Sequence, residues 1–129
     1  MNADTRISDL SPDSDYVELA VEVFSMLADA TRIRIILALR ETELSVNQLA
    51  DAIDKPPAAV SQHLAKLRLA RIVTTRQEGN RVFYRLANEH ARQLVADAIF
   101  QAEHTLHIDP SHHRAEHPPS ATGRTIANA

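Results

Sequence analysis

The sequence predicts a mainly α-helical chain with one small β-hairpin, and three observations carry that prediction. Glycine is rare, two residues in 129, which argues against an all-β chain full of tight turns. Apolar residues recur at helical spacing through much of residues 17–69, the pattern of amphipathic helices. Over residues 71–86 the pattern changes to β-branched and aromatic runs on either side of Gly79-Asn80, which reads as two strands and a tight loop.

Taken in order, Val17, Ala20, Val21, Phe24, Leu27 and Ala28 share helical spacing and give a first helix over about 14–28. A second helix follows at about 31–41. Its nearly continuous apolar content, with Ile33, Ile36, Leu37 and Leu39, predicts a central and mostly buried position. Ser45 opens the third helix with Gln48 three residues on, the spacing at which each side chain satisfies the other residue's free amide. Val46, Leu49, Ala50 and Ile53 form its buried stripe.

Asp54-Lys55-Pro56-Pro57 ends that helix, because a residue before proline avoids helical dihedrals. Pro57 then suits the first position of a fourth helix, where no amide hydrogen is needed. This helix, over 57–69, buries Val60, Leu64 and Leu67. It leaves Ala58, Ala59, Ser61, Gln62, His63, Lys66 and Arg68 on or near its open side. The hairpin sets 71–76 against 81–86 across Gln77-Glu78-Gly79-Asn80, since Gly79 and Asn80 tolerate positive φ. A last helix starts at Asn88, a good cap, and runs to about 108, where Asp109-Pro110 stops it. The expected organisation is thus a mobile segment over 1–13, one domain over 14–108, and a flexible histidine-containing tail over 109–129.

Composition narrows the function. There is no cysteine, which removes disulfides, thiolate metal sites and thiol catalysis together. No glycine-rich phosphate loop and no His-Glu-X-X-His sequence is present, so the chain does not read as an enzyme. Nothing resembles a signal peptide or a membrane span, and the expectation is a soluble, cytoplasmic protein with no membrane partner. The net charge of −3 conceals an asymmetry. Residues 1–22 hold six acids against one base, whereas residues 55–85 hold seven bases against Glu78 alone. A local positive field of that kind steers a polyanion whatever the whole-chain sum.

Two short helices across a tight break, followed by a basic hairpin, form the layout of a winged helix-turn-helix. The fourth helix would enter the major groove of double-stranded DNA. Gln62 can pair bidentately with adenine, Ser61 can donate or accept, and Ala58 or Ala59 can touch a thymine methyl. Lys55, Lys66, Arg68, Arg76 and Arg81 are placed to neutralise phosphates. His63 has two readings, a DNA contact or a partly buried packing residue.

At these residues a family resemblance emerges. Leu27-Ala28-Asp29-Ala30-Thr31-Arg32-Ile33-Arg34-Ile35-Ile36 resembles a signature of the ArsR/SmtB repressors. Val60-Ser61-Gln62-His63-Leu64 and the stretch from Gly79 to Leu86 resemble that family's recognition helix and wing. The resemblance implies a homodimer, joined through its N- and C-terminal helices, that leaves its operator when an inducer binds. Many members sense metal with cysteines near the third helix. Here Ser45 and Asn47 stand at those places, so that site is absent.

The last helix offers another. His90, Asp97 and His104 are seven residues apart and fall near one helical face. His90 and His104 are nevertheless ~21 Å apart at the α-helical rise, too far to share an ion within one helix. Two such helices lying antiparallel in a dimer would bring His90 of one chain to Glu103 or His104 of the other, giving two equivalent sites. Within the family, Asn88-Glu89-His90, Gln101-Ala102-Glu103-His104 and His112-His113-Arg114-Ala115 are similar to the pattern of the KmtR-type nickel/cobalt sensors. That resemblance implies a ligand set of His90, Glu103, His104, His112 and His113. It implies Ni(II) or Co(II) as the inducer that relieves repression. More than four nitrogen and oxygen donors suit a six-coordinate ion. Asp97 reads as a supporting or interface group, and His107 and His117 are histidines beyond the pattern. Two alternatives stay open at this point. One is a Zn(II) sensor using His90, Asp97, Glu103 and His104, and the other is a metal-blind DNA-binding repressor.

Overall fold

The computed structural model describes residues 10–108. Among them are five helices and one two-stranded antiparallel hairpin. The order is α1 (Val17–Leu27), α2 (Ala30–Ala38), α3 (Val46–Ile53), α4 (Pro57–Leu69), β1 (Val73–Glu78), β2 (Arg81–Leu86) and α5 (His90–Ile108). Segments 1–9 and 109–129 lie outside the described residues, and with them most of the first predicted segment and all of the predicted tail.

Local chemistry sets most of these boundaries. Asp29 caps α2 by accepting the Arg32 amide at 2.9 Å. Ser45 and Gln48 form both arms of the predicted capping box on α3, at 3.2 and 2.9 Å, and such a cap contributes about 1 kcal/mol. Asp54 ends α3 in the left-handed region at φ 58°, a conformation Asp tolerates better than most residues. Pro57 is the first residue of α4.

Helix α2 ends at Ala38, before the predicted limit. The Arg40 guanidinium donates to the Leu37 carbonyl at 2.8 Å, satisfying a terminal acceptor. The chain then turns so that Leu44 can exchange two backbone hydrogen bonds with Tyr84, at 3.0 and 2.8 Å. That bridge adds a short third rung beside the hairpin. In the hairpin Glu78 pairs with Arg81, which leaves Gly79-Asn80 as a two-residue loop. Only Gly79 takes a positive φ, 63°, as glycine does at the first central position of a type II′ loop. The tight loop extends β1 to Glu78. At its other end β1 starts later than predicted, because Arg71 adopts φ 63° and turns the chain out of α4.

The core is aliphatic. Ile35 and Ile36 from α2, Leu39 just after it, Leu49 and Ala50 from α3, Val60, Leu64 and Leu67 from α4, and Val73 from β1 are buried together with Leu27. Burying side chains of this size contributes roughly 1.5–3 kcal/mol each relative to exposure. The chain falls into two compact units that divide between Arg92 and Gln93. The helix-turn-helix, the hairpin and the first turn of α5 belong to one unit, and the remainder of α5 belongs to the other. No helix among the described residues is long and apolar enough to cross a membrane.

Candidate nucleic-acid interface

The candidate interface is built on α4. Val60, Leu64 and Leu67, all fully buried, fix the helix on the core, so its opposite side must face outward. Ala58, Ser61, Gln62, Lys66 and Arg68 are exposed there, Lys55 is exposed in the preceding turn, and Ala59 is half-buried at the edge. A short rigid helix thus presents one amide, one hydroxyl and a methyl group, with cations on its flanks. Those are the groups that read base edges and hold phosphates.

His63 behaves differently. Its Nδ1 accepts a hydrogen bond from Arg32 Nε at 3.1 Å and lies 3.7 Å from Asp29 Oδ2. The imidazole is half-buried and turned toward the start of α2. Arg32 also donates to the Met26 carbonyl at 3.1 Å, so one guanidinium links the end of α1 to α4, while the amide of the same residue is held by the Asp29 cap. The Arg32 amide holds the Asp29 carboxyl below the usual carboxylate range, partly opposed by burial and aided by the His63 and Arg32 side chains.

The hairpin supplies the second cationic element. Arg76 and Arg81 both lie over the Phe83 ring, each with its guanidinium carbon 4.9 Å from the centroid. Cation–π contacts at such exposed sites contribute ~0.5–1 kcal/mol. The two arginines then diverge. Arg76 is gripped by Glu43 at 2.8 Å and by Glu78 at 3.0 Å, which raises its pKa further and holds the Glu43 carboxyl below its ordinary range. Arg81 has no carboxylate within ion-pair distance among the described residues. Of the two, it is the one whose guanidinium can meet a phosphate without first giving up an acid.

The predicted metal donors that fall among the described residues lie on α5. His90 opens the helix, where its amide is accepted by the Asn88 side chain at 2.9 Å. Its imidazole is exposed, as are Glu103 and His104 near the other end. Asp97 is exposed and accepts from Gln93 Nε2 at 3.0 Å. No three His, Asp or Glu side chains of one chain converge to hold a metal among the described residues. The side chain of His107, and all of His112, His113 and His117, lie outside those residues.

Two features were not foreseen from the sequence. One is the Asp29–Arg32–His63 cluster, whose residues belong to different helices and carry no shared spacing. The other is a cluster of arginines beside the base of the hairpin, drawn from four separate segments. Neither leaves a periodic trace that a sequence pattern could reveal.

Known proteins agree with this architecture. Residues 29–75 match the model of the bacterial regulatory protein arsR family. The chain is 57% identical over 111 residues to the HTH-type transcriptional regulator KmtR of Mycobacterium tuberculosis, covering 84% of this chain and 85% of that one. It is 41% identical over 91 residues to the HTH-type transcriptional repressor SmtB of the same organism, covering 70% and 67% of the two chains. The crystal structure of Rv0081 from M. tuberculosis superposes with a TM-score of 0.64 at 33% identity, covering 72% of this chain and 94% of that one. The chain therefore belongs to the arsR family of bacterial regulatory proteins and carries that family's winged helix-turn-helix.

Proposed function

We propose that this protein is a metal-responsive transcriptional repressor, acting in the cytoplasm, that binds operator DNA as a homodimer and is released when Ni(II) or Co(II) binds at α5. One observation carries the reading. His90 and the Glu103-His104 pair sit at opposite ends of a single helix, and no group of three donors forms within one chain among the described residues. An N/O donor set split in this way fits a six-coordinate ion only if a second chain supplies the missing end. His112 and His113 are the further ligands of this proposal.

Exposed apolar surface supports the dimer. Val17, Leu19, Val21, Val23 and Phe24 of α1 are between 41% and 59% exposed, and Phe100 and Leu106 of α5 are exposed as well. A single chain leaves these side chains in water, and a second copy would cover them.

On DNA, Gln62 and Ser61 read base edges with Ala58 and Ala59 against thymine methyl groups. Lys55, Lys66, Arg68, Arg81 and Arg76 contact phosphates, Arg76 at the cost of loosening its hold on Glu43 and Glu78. His63 sets the seating of α4 through Arg32. A bound metal supplies a crosslink between donors of the two chains. If the DNA-bound arrangement separates those donors, metal and DNA binding oppose each other equally.

The experiment is a fluorescence-anisotropy titration of the full-length protein on duplex DNA from its own promoter region, with Ni(II), Co(II) or Zn(II) added. Ni(II) or Co(II) should weaken binding at least about tenfold, a typical allosteric coupling. A response to Zn(II) alone would favour a four-ligand site with Asp97. Unchanged affinity with all three ions would leave a DNA-binding protein without a metal trigger.

A further inference from the structure

A cavity of about 390 Å³ lies beside the base of the hairpin, within the range that small-molecule ligands occupy. Its charged lining is Arg40 after α2, Glu43 in the following loop, Arg76 on β1, Arg85 on β2, and Glu89 and Arg92 around the start of α5. Four arginines thus line one space together with two glutamates.

The carboxylates are committed. Glu43 is held by Arg76 at 2.8 Å, and Glu89 lies 3.6 Å from Arg92. Arg40 and Arg85 are left in excess. Arg40 donates to the Leu37 carbonyl at 2.8 Å, Arg85 makes a long 3.4 Å bond to the Thr74 hydroxyl, and neither has a carboxylate in ion-pair reach among the described residues. A guanidinium carries five N–H donors in a planar fork, so most of the donors on both remain available. The lining carries a surplus of two positive charges, which matches the ≈ −1.5 to −2 of a phosphate monoester at neutral pH.

We propose that this pocket is a phosphate-binding site, with Arg40 and Arg85 as the principal ligands and the Glu43–Arg76 and Glu89–Arg92 pairs fixing the walls. The shared chemistry is a phosphate group, carried either by a small phosphorylated molecule or by a DNA backbone. No residue of α4 lines the pocket, so the recognition helix does not aim at it, and a free phosphorylated molecule is the favoured source. Asn88 and Glu89 also line it, which places an occupant beside His90 and against both strands of the hairpin. An anion there would tie the DNA-reading hairpin to the first turn of α5. The inference is independent of the metal proposal.

The test is a ¹H–¹⁵N NMR titration of the metal-free full-length protein with inorganic phosphate, with chloride at matched ionic strength as the reference. Saturable shifts are expected at the amides of Thr42, Arg85 and Asn88. The double variant Arg40→Gln/Arg85→Gln should weaken phosphate at least about tenfold, a loss of ~1.4 kcal/mol. Arg34→Gln, an equal type of charge change on an exposed residue outside the pocket, should leave it unchanged. Binding of the double variant to a non-specific 20-base-pair duplex separates the sources. Affinity within twofold of the parent assigns the site to a free anion, and a tenfold loss assigns it to backbone phosphate. No saturable shifts, shifts centred away from these residues, or equal weakening by Arg34→Gln would overturn the proposal. The map on the parent protein decides even if the double variant does not fold.

Discussion

Helices α1 and α4 have similar lengths and both are rich in aliphatic residues, yet a single chain treats them in opposite ways. The three apolar anchors of α4 are completely buried, whereas five large apolar residues of α1 remain about half exposed. The difference separates two tasks. The DNA-reading unit is finished within one chain: its core is closed, its caps are made, and its recognition face is fixed. The apolar surfaces of α1 and α5 are left open in a single chain, and the proposed dimer would cover them. Under the proposed assembly the reading head stays rigid while the response runs through the contact between chains.

Substitutions on the two helices should therefore fail differently. Leu64→Ala, at a fully buried site, should cost about 2–5 kcal/mol, visible as a lower denaturation midpoint with DNA binding lost alongside folding. Phe24→Glu should instead leave the fold intact and weaken self-association by roughly a hundredfold, about 2.7 kcal/mol, measured by sedimentation. If Phe24→Glu unfolded the chain as Leu64→Ala does, the two helices would not differ as described. Gln62→Ala should preserve stability and reduce discrimination at one base pair by ~1–3 kcal/mol, read from competition among single-base operator variants.

Smaller effects fall on the links around the reading head. Asp29→Ala removes the α2 cap and should cost about 1 kcal/mol in chemical denaturation. Asp29 and Glu43 both have depressed carboxyl pKa values. Their contribution is complete above the ordinary carboxylate range near ~4 and is lost as pH falls through the lower folded values. An acid titration followed by circular dichroism should show that loss in the parent. Asp29→Asn together with Glu43→Gln should flatten it, and an unchanged acid profile would remove these two groups from the account.

The parts legible in the sequence are those written locally. The Ser45–Gln48 box, Pro57 at the first turn of α4, the α4 anchors and Gly79 in the hairpin each depend on residues within a few positions of one another, and each appears where expected. The errors came from long-range competition. Helix α2 stops at Ala38 because Leu44 is drawn into pairing with Tyr84, forty positions away. The β1 boundary shifts because Arg71 accepts a positive φ that a propensity argument assigns to glycine or asparagine. His63 carried two readings because its Arg32 partner lies in another helix. The arginine pocket gave no sequence signal, since charge spacing along the chain does not report convergence in space.

The proposed sensing site is shared between chains, and mixing two inactive variants tests that sharing directly. His90→Ala and Glu103→Ala/His104→Ala should each bind neither Ni(II) nor Co(II) tightly as homodimers. In the mixed dimer, one chain still supplies His90 and the other still supplies Glu103 and His104, so one of the two sites is restored. Isothermal titration with Ni(II) should then show tight binding at half the parent stoichiometry in the heterodimer. A heterodimer that binds no better than either homodimer would contradict a shared site and return the donors to a single chain.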